Sequence, residues 1–127
     1  MPDKFILRVE ADFAAAHTLR DYPGDCNRMH GHNWKVVAEV EARTLDAVGM
    51  GIDFRDIKQA LRRIAAGLDH RYLNDVPPFD RKNPTAENLA VYFYDALAEA
   101  LRDRPVRVHA VTLWETERAA VRYSRDD

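Results

Sequence analysis

The feature that most constrains the fold of this chain is a change of hydrophobic period along it. Apolar and polar residues alternate over residues 5–13, which predicts a strand with one buried face. The same alternation predicts strands over about 32–43 and 106–114, and a short final strand over 119–124. Between the second and the third of these strands the apolar spacing is three to four residues, which is typical of amphipathic helices. The chain therefore begins and ends in strands and carries helices in its middle.

Two residues predict where these helices begin. Asp53 can cap the first helix, and Thr85, directly after Pro84, can cap the second. The order β-β-α-α-β-β predicts a single α+β domain over residues 1–127, with two helices covering one face of an antiparallel sheet. Edge strands of such a sheet need covering, which favours assembly with further copies. The predicted apolar stripes are Phe54, Ile57, Leu61, Ile64 and Leu68 in the first helix, and Leu89, Tyr92, Phe93, Ala96, Leu97 and Leu101 in the second.

Charge and composition exclude several classes of partner. The 127 residues contain 19 Lys and Arg against 21 Asp and Glu, a net charge of −2, so no basic surface for nucleic acid or anionic membrane is expected. The first residues lack a signal-peptide pattern, and no apolar run reaches the roughly 18 residues of a membrane span. A single cysteine, Cys26, suits a reducing compartment, and we expect a cytoplasmic protein.

Three histidines have the spacing of a metal site. His30 and His32 are two residues apart at the start of a predicted strand, so their side chains point to the same side. His17 follows the first strand, which can pair with the second and bring a third imidazole close. Three imidazoles with one free position form the open tetrahedral site of a catalytic zinc ion. We therefore predict that these three residues bind Zn²⁺.

Cys26, four residues before His30, has two functional interpretations that the local sequence leaves open. As a fourth ligand it would close the coordination shell and make a structural site. As a neighbour of the metal it would be a thiolate able to move protons. Its own neighbours are polar, which disfavours a buried apolar role.

Two further acidic positions are candidates for chemistry. Asp69 can orient the imidazole of His70, the arrangement of a Cys-His-Asp relay, although such a pair near a helix end is commonly structural. Glu115 lies among apolar residues of a predicted strand. Its carboxylate could accept paired N–H bonds from a guanidine-like ligand edge, or could simply pair with an arginine at the surface.

Six short motifs occur in an order that resembles the 6-pyruvoyltetrahydropterin synthase superfamily, and most closely its bacterial 6-carboxy-5,6,7,8-tetrahydropterin synthase branch. The resemblance extends from Phe5 to Tyr123. The motifs are Phe13-Ala-Ala-Ala-His17, Cys26-x-x-x-His30-Gly31-His32, Ile52-Asp53-Phe54, Leu68-Asp69-His70-x-x-Leu73-Asn74, Pro84-Thr85-x-Glu87 and Glu115-Thr116.

The resemblance implies a tunnelling fold, in which subunits form a trimeric barrel and two trimers stack into a homohexamer. It implies that the three histidines bind zinc and that Cys26 is the catalytic thiol. Asp69 and His70 would be its relay partners, contributed by an adjacent subunit, and Glu115 would anchor the pterin.

The implied reaction is a lyase reaction on 7,8-dihydroneopterin triphosphate. In the carboxy branch it gives 6-carboxy-5,6,7,8-tetrahydropterin, acetaldehyde and triphosphate, on the route to queuosine. The three residues between Cys26 and His30 favour this branch, because the pyruvoyl enzymes typically have five. The alternatives are 6-pyruvoyltetrahydropterin synthase, which keeps the side chain, and a non-catalytic zinc protein. Arg28, Lys35 and Arg71 are candidates for binding the triphosphate, and Trp34 stands where the family usually has Tyr or Phe.

Overall fold

The computed structural model describes residues 3–24 and 27–126. Within them, strands occupy the two ends of the chain and helices lie between, in the predicted order with one addition. The elements are β1 (Phe5–His17), β2 (His30–Ala42), α1 (Phe54–Ala66), β3 (Arg71–Tyr72), α2 (Ala86–Ala100), β4 (Val106–Thr116) and β5 (Ala119–Ser124).

The strands form one open sheet in the order β3-β1-β2-β4-β5. β1 and β2 pair antiparallel over their full length, from Phe5 opposite Ala42 to His17 opposite His30. The helices pack against this sheet, α1 chiefly on β1 and α2 on β4. The α+β fold with helices on one face is therefore confirmed. The sheet is mixed, however, because the two-residue strand β3 runs parallel to β1 at Ala15 and Ala16.

Both predicted helix starts are confirmed by hydrogen bonds. The side chain of Asp53 accepts from the backbone N–H of Arg55 at 2.8 Å. Thr85 Oγ1 accepts from the backbone N–H of Asn88 at 3.1 Å. Each bond satisfies an N–H group that a helix leaves unpaired in its first turn, a contribution of about 1 kcal/mol.

The helix stripes pack on the sheet to form the core. Ile57 and Leu61 of α1 are fully buried, as are Phe93 and Leu97 of α2. Phe54 is an exception to the predicted stripe, because its side chain is 51% exposed at the first turn of α1. Phe54 is the first residue of α1, and the start of a helix can project beyond the sheet on which the rest of the helix packs.

A bulge in β4 corrects the predicted alternation of that strand. Val108 pairs with Val40 and Ala110 pairs with Glu39, so His109 is an extra residue without a partner opposite it. An inserted residue reverses the facing of everything that follows it. Val111 and Leu113 consequently face the helices, and Glu115 shares their side of the strand, whereas Trp114 lies on the helix-free face.

Both edges of the sheet lack a pairing strand over most of their length within the described residues. β3 covers β1 only at two positions, and β5 pairs with β4 on one side. The remaining backbone groups of these edges are available for pairing with another chain. Neither of the two helices in the described part of the chain has both the length and the apolar character needed to cross a bilayer.

Candidate metal centre

Strand pairing brings the three histidines to one end of the sheet. His17 ends β1, and its register partner His30 begins β2 with His32 two residues later. One ring nitrogen from each histidine lies within 4.8 Å of those of the other two. The predicted cluster is therefore present, on the face of the sheet that carries the core.

Backbone carbonyls orient two of the three rings. Nδ1 of His17 lies 2.8 Å from the carbonyl oxygen of Pro84, and Nδ1 of His30 lies 2.7 Å from that of Arg28. A carbonyl can only accept a hydrogen bond, so each Nδ1 must carry the proton. In the neutral rings, each Nε2 is then left with a free lone pair.

These lone pairs converge. Nε2 of His17 and Nε2 of His30 are 2.9 Å apart. The Nε2 atom of His32 is buried and has no hydrogen-bond partner among the described residues. A buried acceptor without a donor is unfavourable, and a cation shared by the three nitrogens would satisfy all of them. The donor set thus fits a metal ion.

Burial keeps two of these rings neutral. The His17 side chain is fully buried, and loss of water lowers its pKa from the ordinary value. Burial also lowers the pKa of His32. A neutral imidazole is the form that binds metal, because protonation removes the lone pair.

Glu115 lies beside the histidines. One carboxylate oxygen is 3.9 Å from Nε2 of His17, and the other is 3.9 Å from Nε2 of His32. The side chain is 34% exposed, so one side of it is open to a ligand. This negative charge suits either a nearby cation or the N–H groups of a bound molecule.

Trp34 forms the inner wall of the cluster. Its ring is fully buried, with its centroid 5.1 Å from that of His17 and 5.3 Å from that of His32. The indole N–H donates to the carbonyl of Ala15 at 3.2 Å. The indole ring therefore packs directly against two candidate ligands.

Asp69 and His70 form the predicted pair, held to the edge of β1. Nδ1 of His70 is 2.9 Å from a carboxylate oxygen of Asp69, whose other oxygen accepts from the backbone N–H of Ala14 at 2.8 Å. That bond, and then the one from His70, lower the pKa of Asp69. The backbone N–H of His70 in turn donates to the Ala14 carbonyl at 2.6 Å. Both backbone groups of Ala14 are thus engaged by this pair.

The imidazole of His70 points into open space. Its side chain is 82% exposed, and its backbone lies at φ 58°, the left-handed region that non-glycine residues rarely adopt. His70, Arg71 and Tyr72 line a cleft of about 510 Å³ together with His32. Within the described residues, no hydrogen bond or ion pair joins Asp69 or His70 to the three histidines.

Of the other predicted residues, Arg71 lies in the cleft that His32 lines, and Lys35 does not. Cys26 lies outside the described residues, so its relation to the histidines stays a prediction. Lys35 lies on the helix-free face, where it contacts Glu10 at 3.9 Å and lies over the Trp114 ring. It therefore does not share the face of His32, unlike Arg71, which lies in the same cleft.

Sequence reasoning did not find the residues that support His17. Asn74 and Asn83 bond to the backbone just after His17, and Pro84 supplies the carbonyl that its ring contacts. Asn74 belongs to a recognised motif, but no local pattern indicates that these residues lie near His17. They are 57 to 67 positions away along the chain.

Comparison with known proteins connects this geometry with pterin synthases. A family model described as 6-pyruvoyl tetrahydropterin synthase matches residues 6–126. A putative 6-carboxy-5,6,7,8-tetrahydropterin synthase of Archaeoglobus fulgidus is 35% identical over 111 residues, covering 85% of this chain and 90% of that protein. Human 6-pyruvoyl tetrahydrobiopterin synthase is 40% identical over 105 residues, covering 79% of this chain and 70% of that protein.

Solved structures agree. The 6-pyruvoyl tetrahydropterin synthase of Caenorhabditis elegans superimposes with a TM-score of 0.85 at 25% identity, covering 98% of both chains. The relatives carry both the carboxy and the pyruvoyl names, so identity alone does not distinguish the two reactions. The chain belongs to the 6-pyruvoyl tetrahydropterin synthase family.

Proposed function

We propose that this chain is a zinc-dependent 6-carboxytetrahydropterin synthase. It converts 7,8-dihydroneopterin triphosphate to 6-carboxy-5,6,7,8-tetrahydropterin with release of acetaldehyde and triphosphate, a step towards queuosine. The observation that carries the proposal is the convergence of three imidazoles whose Nε2 atoms are free to bind one ion.

The donor set favours zinc among the common metals. Three neutral imidazoles with an open fourth position form a known arrangement of catalytic zinc, whereas magnesium and calcium prefer oxygen ligands. His17, His30 and His32 would hold the ion. Zinc bound there would supply Lewis acidity towards the hydroxyl groups of the substrate side chain.

The protein groups perform the proton chemistry in this proposal. Cys26 acts as the thiolate that moves protons on the substrate side chain. His70, oriented by its contact with Asp69 at 2.9 Å, holds the thiol proton. Glu115 receives the N–H edge of the pterin, and its position beside His17 and His32 would bring the bound ring close to the metal centre.

The proposed enzyme is a homohexamer, a dimer of trimers with active sites between subunits. Three observations support this. The edges of the sheet have unpaired backbone groups, the imidazole of His70 is 82% exposed, and that imidazole makes no hydrogen bond or ion pair with the histidine cluster, all within the described residues. We also propose a cytoplasmic location, which rests on the single cysteine.

The choice of the carboxy reaction rests on the spacing of Cys26 and His30 and on the archaeal relative's name. The second candidate, 6-pyruvoyltetrahydropterin synthase, is favoured by the identity to the human protein. A non-catalytic zinc protein, with Cys26 as fourth ligand, would need neither the Asp69–His70 pair nor Glu115.

Product identification tests the proposal. Zinc-loaded protein is incubated with 7,8-dihydroneopterin triphosphate, and the products are identified by mass, with metal-stripped protein as control. We expect 6-carboxytetrahydropterin and acetaldehyde with the zinc-loaded protein only. A pterin that retains its three-carbon side chain would instead identify the pyruvoyl reaction, and absence of turnover would favour the non-catalytic alternative.

A further inference from the structure

We propose that Asn83 is a positioning residue for the metal centre. Its side chain holds the adjacent Pro84 carbonyl at the point where that carbonyl accepts the Nδ1 proton of His17. This inference rests on the metal centre of the proposed function and adds a residue from outside the histidine cluster to it.

The contact between His17 and Pro84 is fully enclosed. His17 has no exposed area, and Pro84 is buried as well. The two residues are 67 positions apart, so nothing in the local chain keeps the carbonyl 2.8 Å from Nδ1. Other contacts must fix the segment that carries Pro84.

Asn83 connects that segment directly to the chain beyond His17, beside a longer bond from the Arg20 guanidinium to the Lys82 carbonyl at 3.4 Å. Its Oδ1 accepts from the backbone N–H of Arg20 at 2.9 Å, and its Nδ2 donates to the carbonyl of Arg20 at 2.9 Å. The side-chain amide thus pairs with both backbone groups of one residue, as a neighbouring strand would. Such a reciprocal pair fixes both distance and orientation.

The main chain of Asn83 is held from the other side by α2. The side chain of Asn88 donates to the Asn83 carbonyl at 2.8 Å, and Asn88 lies in the first turn of the helix that Thr85 caps. The peptide unit before Pro84 is therefore held by α2, while the Asn83 side chain is held by the segment after β1. Pro84 lies between these two attachments.

A second pair of the same kind supports the first. Asn74 accepts from the backbone N–H of Thr18 at 2.9 Å and donates to the Thr18 carbonyl at 2.8 Å. The guanidinium of Arg20 donates to the Phe79 carbonyl at 2.8 Å. The chain that leaves β1 is consequently hydrogen-bonded along residues 18–20. Among these attachments, the pair made by the Asn83 side chain is at the residue next to Pro84.

The position of this carbonyl determines which nitrogen of His17 can bind metal. With the proton on Nδ1, the lone pair of Nε2 faces Nε2 of His30 at 2.9 Å. If the carbonyl moved away, Nδ1 would lose its acceptor and the ring could rotate or exchange its tautomer. Partners that orient a metal-binding histidine typically change metal affinity by about 10- to 100-fold when they are removed.

The experiment measures metal affinity in three variants of the full chain. Asn83→Ala removes the reciprocal pair, and Asn88→Ala removes the single bond to the Asn83 carbonyl while placing a good helix former in α2. Asp46→Ala is the matched control, because it also removes two hydrogen bonds between one side chain and the backbone, here accepted from the N–H groups of Val48 and Met50. Asp46 lies beyond Ala42, at the end of the 13-residue strand β2 that is opposite to His30.

Each protein is titrated with Zn²⁺ against a competing chelator, and the visible spectrum of the Co²⁺-substituted form is recorded. For Asn83→Ala we expect about tenfold weaker zinc binding and an altered Co²⁺ spectrum. Asn88→Ala should change both in the same direction by less, and Asp46→Ala should match the parent. Because neither readout uses turnover, an error in the assigned reaction would not affect the result.

Several results would overturn the positioning role. One is zinc affinity and Co²⁺ spectra like the parent's in both Asn83→Ala and Asn88→Ala. Another is an equal loss of affinity in Asp46→Ala, which would indicate a general loss of stability. If Asn83→Ala does not fold, the outcome for Asn88→Ala decides alone. A parent protein that binds no zinc would overturn the proposed metal centre itself, which is a different result from these.

Discussion

Nε2 of His17 and Nε2 of His30 lie 2.9 Å apart, although both rings give their Nδ1 proton to a backbone carbonyl. Two lone pairs at this distance repel each other unless a proton or a cation lies between them. The folded chain thus holds an arrangement that is unfavourable without a ligand, and this is the main physical reason for assigning a metal there.

Glu115→Gln should weaken substrate binding while leaving the metal in place. The variant keeps the shape of the side chain but loses the negative charge that, in our proposal, receives the pterin N–H edge. We expect a higher KM, with zinc content equal to that of the parent. Steady-state kinetics beside elemental analysis make the comparison. Since the carboxylate is 3.9 Å from two histidine nitrogens, loss of zinc in this variant would instead identify Glu115 as a ligand.

Cys26→Ala should keep zinc and lose turnover. Removal of a general acid–base group typically lowers the rate by about 10²- to 10⁴-fold, and the loss should fall in that range. Zinc content and kcat are measured on the same preparation, with Cys26→Ser as a second variant of similar size. If Cys26→Ala loses its zinc as completely as a His30→Ala variant does, the thiol is a ligand and the site is structural.

Mixed assemblies should recover activity if the relay crosses a subunit interface. His70 is 82% exposed and, within the described residues, makes no hydrogen bond or ion pair with the three histidines, so in our proposal its partner thiol lies on a neighbour. Inactive Cys26→Ala and His70→Ala proteins are dissociated together and reassembled, with each variant reassembled alone as control. Activity should appear only in the mixture. Reassembled mixtures of confirmed composition that stay inactive would place the relay within one chain.

Trp34→Phe should destabilise the fold more than Trp114→Phe. The Trp34 ring is fully buried and donates to the Ala15 carbonyl, so the smaller ring leaves a cavity and loses this hydrogen bond. We expect the free energy of unfolding to fall by about 1–3 kcal/mol, as measured by urea denaturation. Trp114, on the helix-free face and only partly buried, is the matched control. Equal losses in the two variants would contradict this account of Trp34.

Most of the fold could be predicted because its signals are local. The alternation of β1 and β2, the caps at Asp53 and Thr85, and the final strand are all written in short stretches of sequence. The bulge at His109 and the two-residue strand β3 were not predicted. A bulge depends on how one strand meets another, and a two-residue bridge is too short to show a period.

In the candidate site, too, only the features with a local sequence signal could be predicted. The H-x-H spacing and strand pairing predicted that three histidines would meet, and the structure brings them together. The Pro84 carbonyl and the amides of Asn74 and Asn83 could not be predicted, because their contacts join segments more than 50 residues apart. Backbone carbonyls have no sequence signature, although here one of them determines the tautomer of a buried ring.

Metal content per chain tests the central claim most directly. Purified protein, His30→Ala and His32→Ala are each analysed for zinc by elemental analysis after removal of loosely bound ions. We predict about one zinc per chain in the parent and loss of most of it in both variants, because a three-ligand site that loses one imidazole loses much of its binding energy and its geometry. Stoichiometric zinc in both variants would contradict the account.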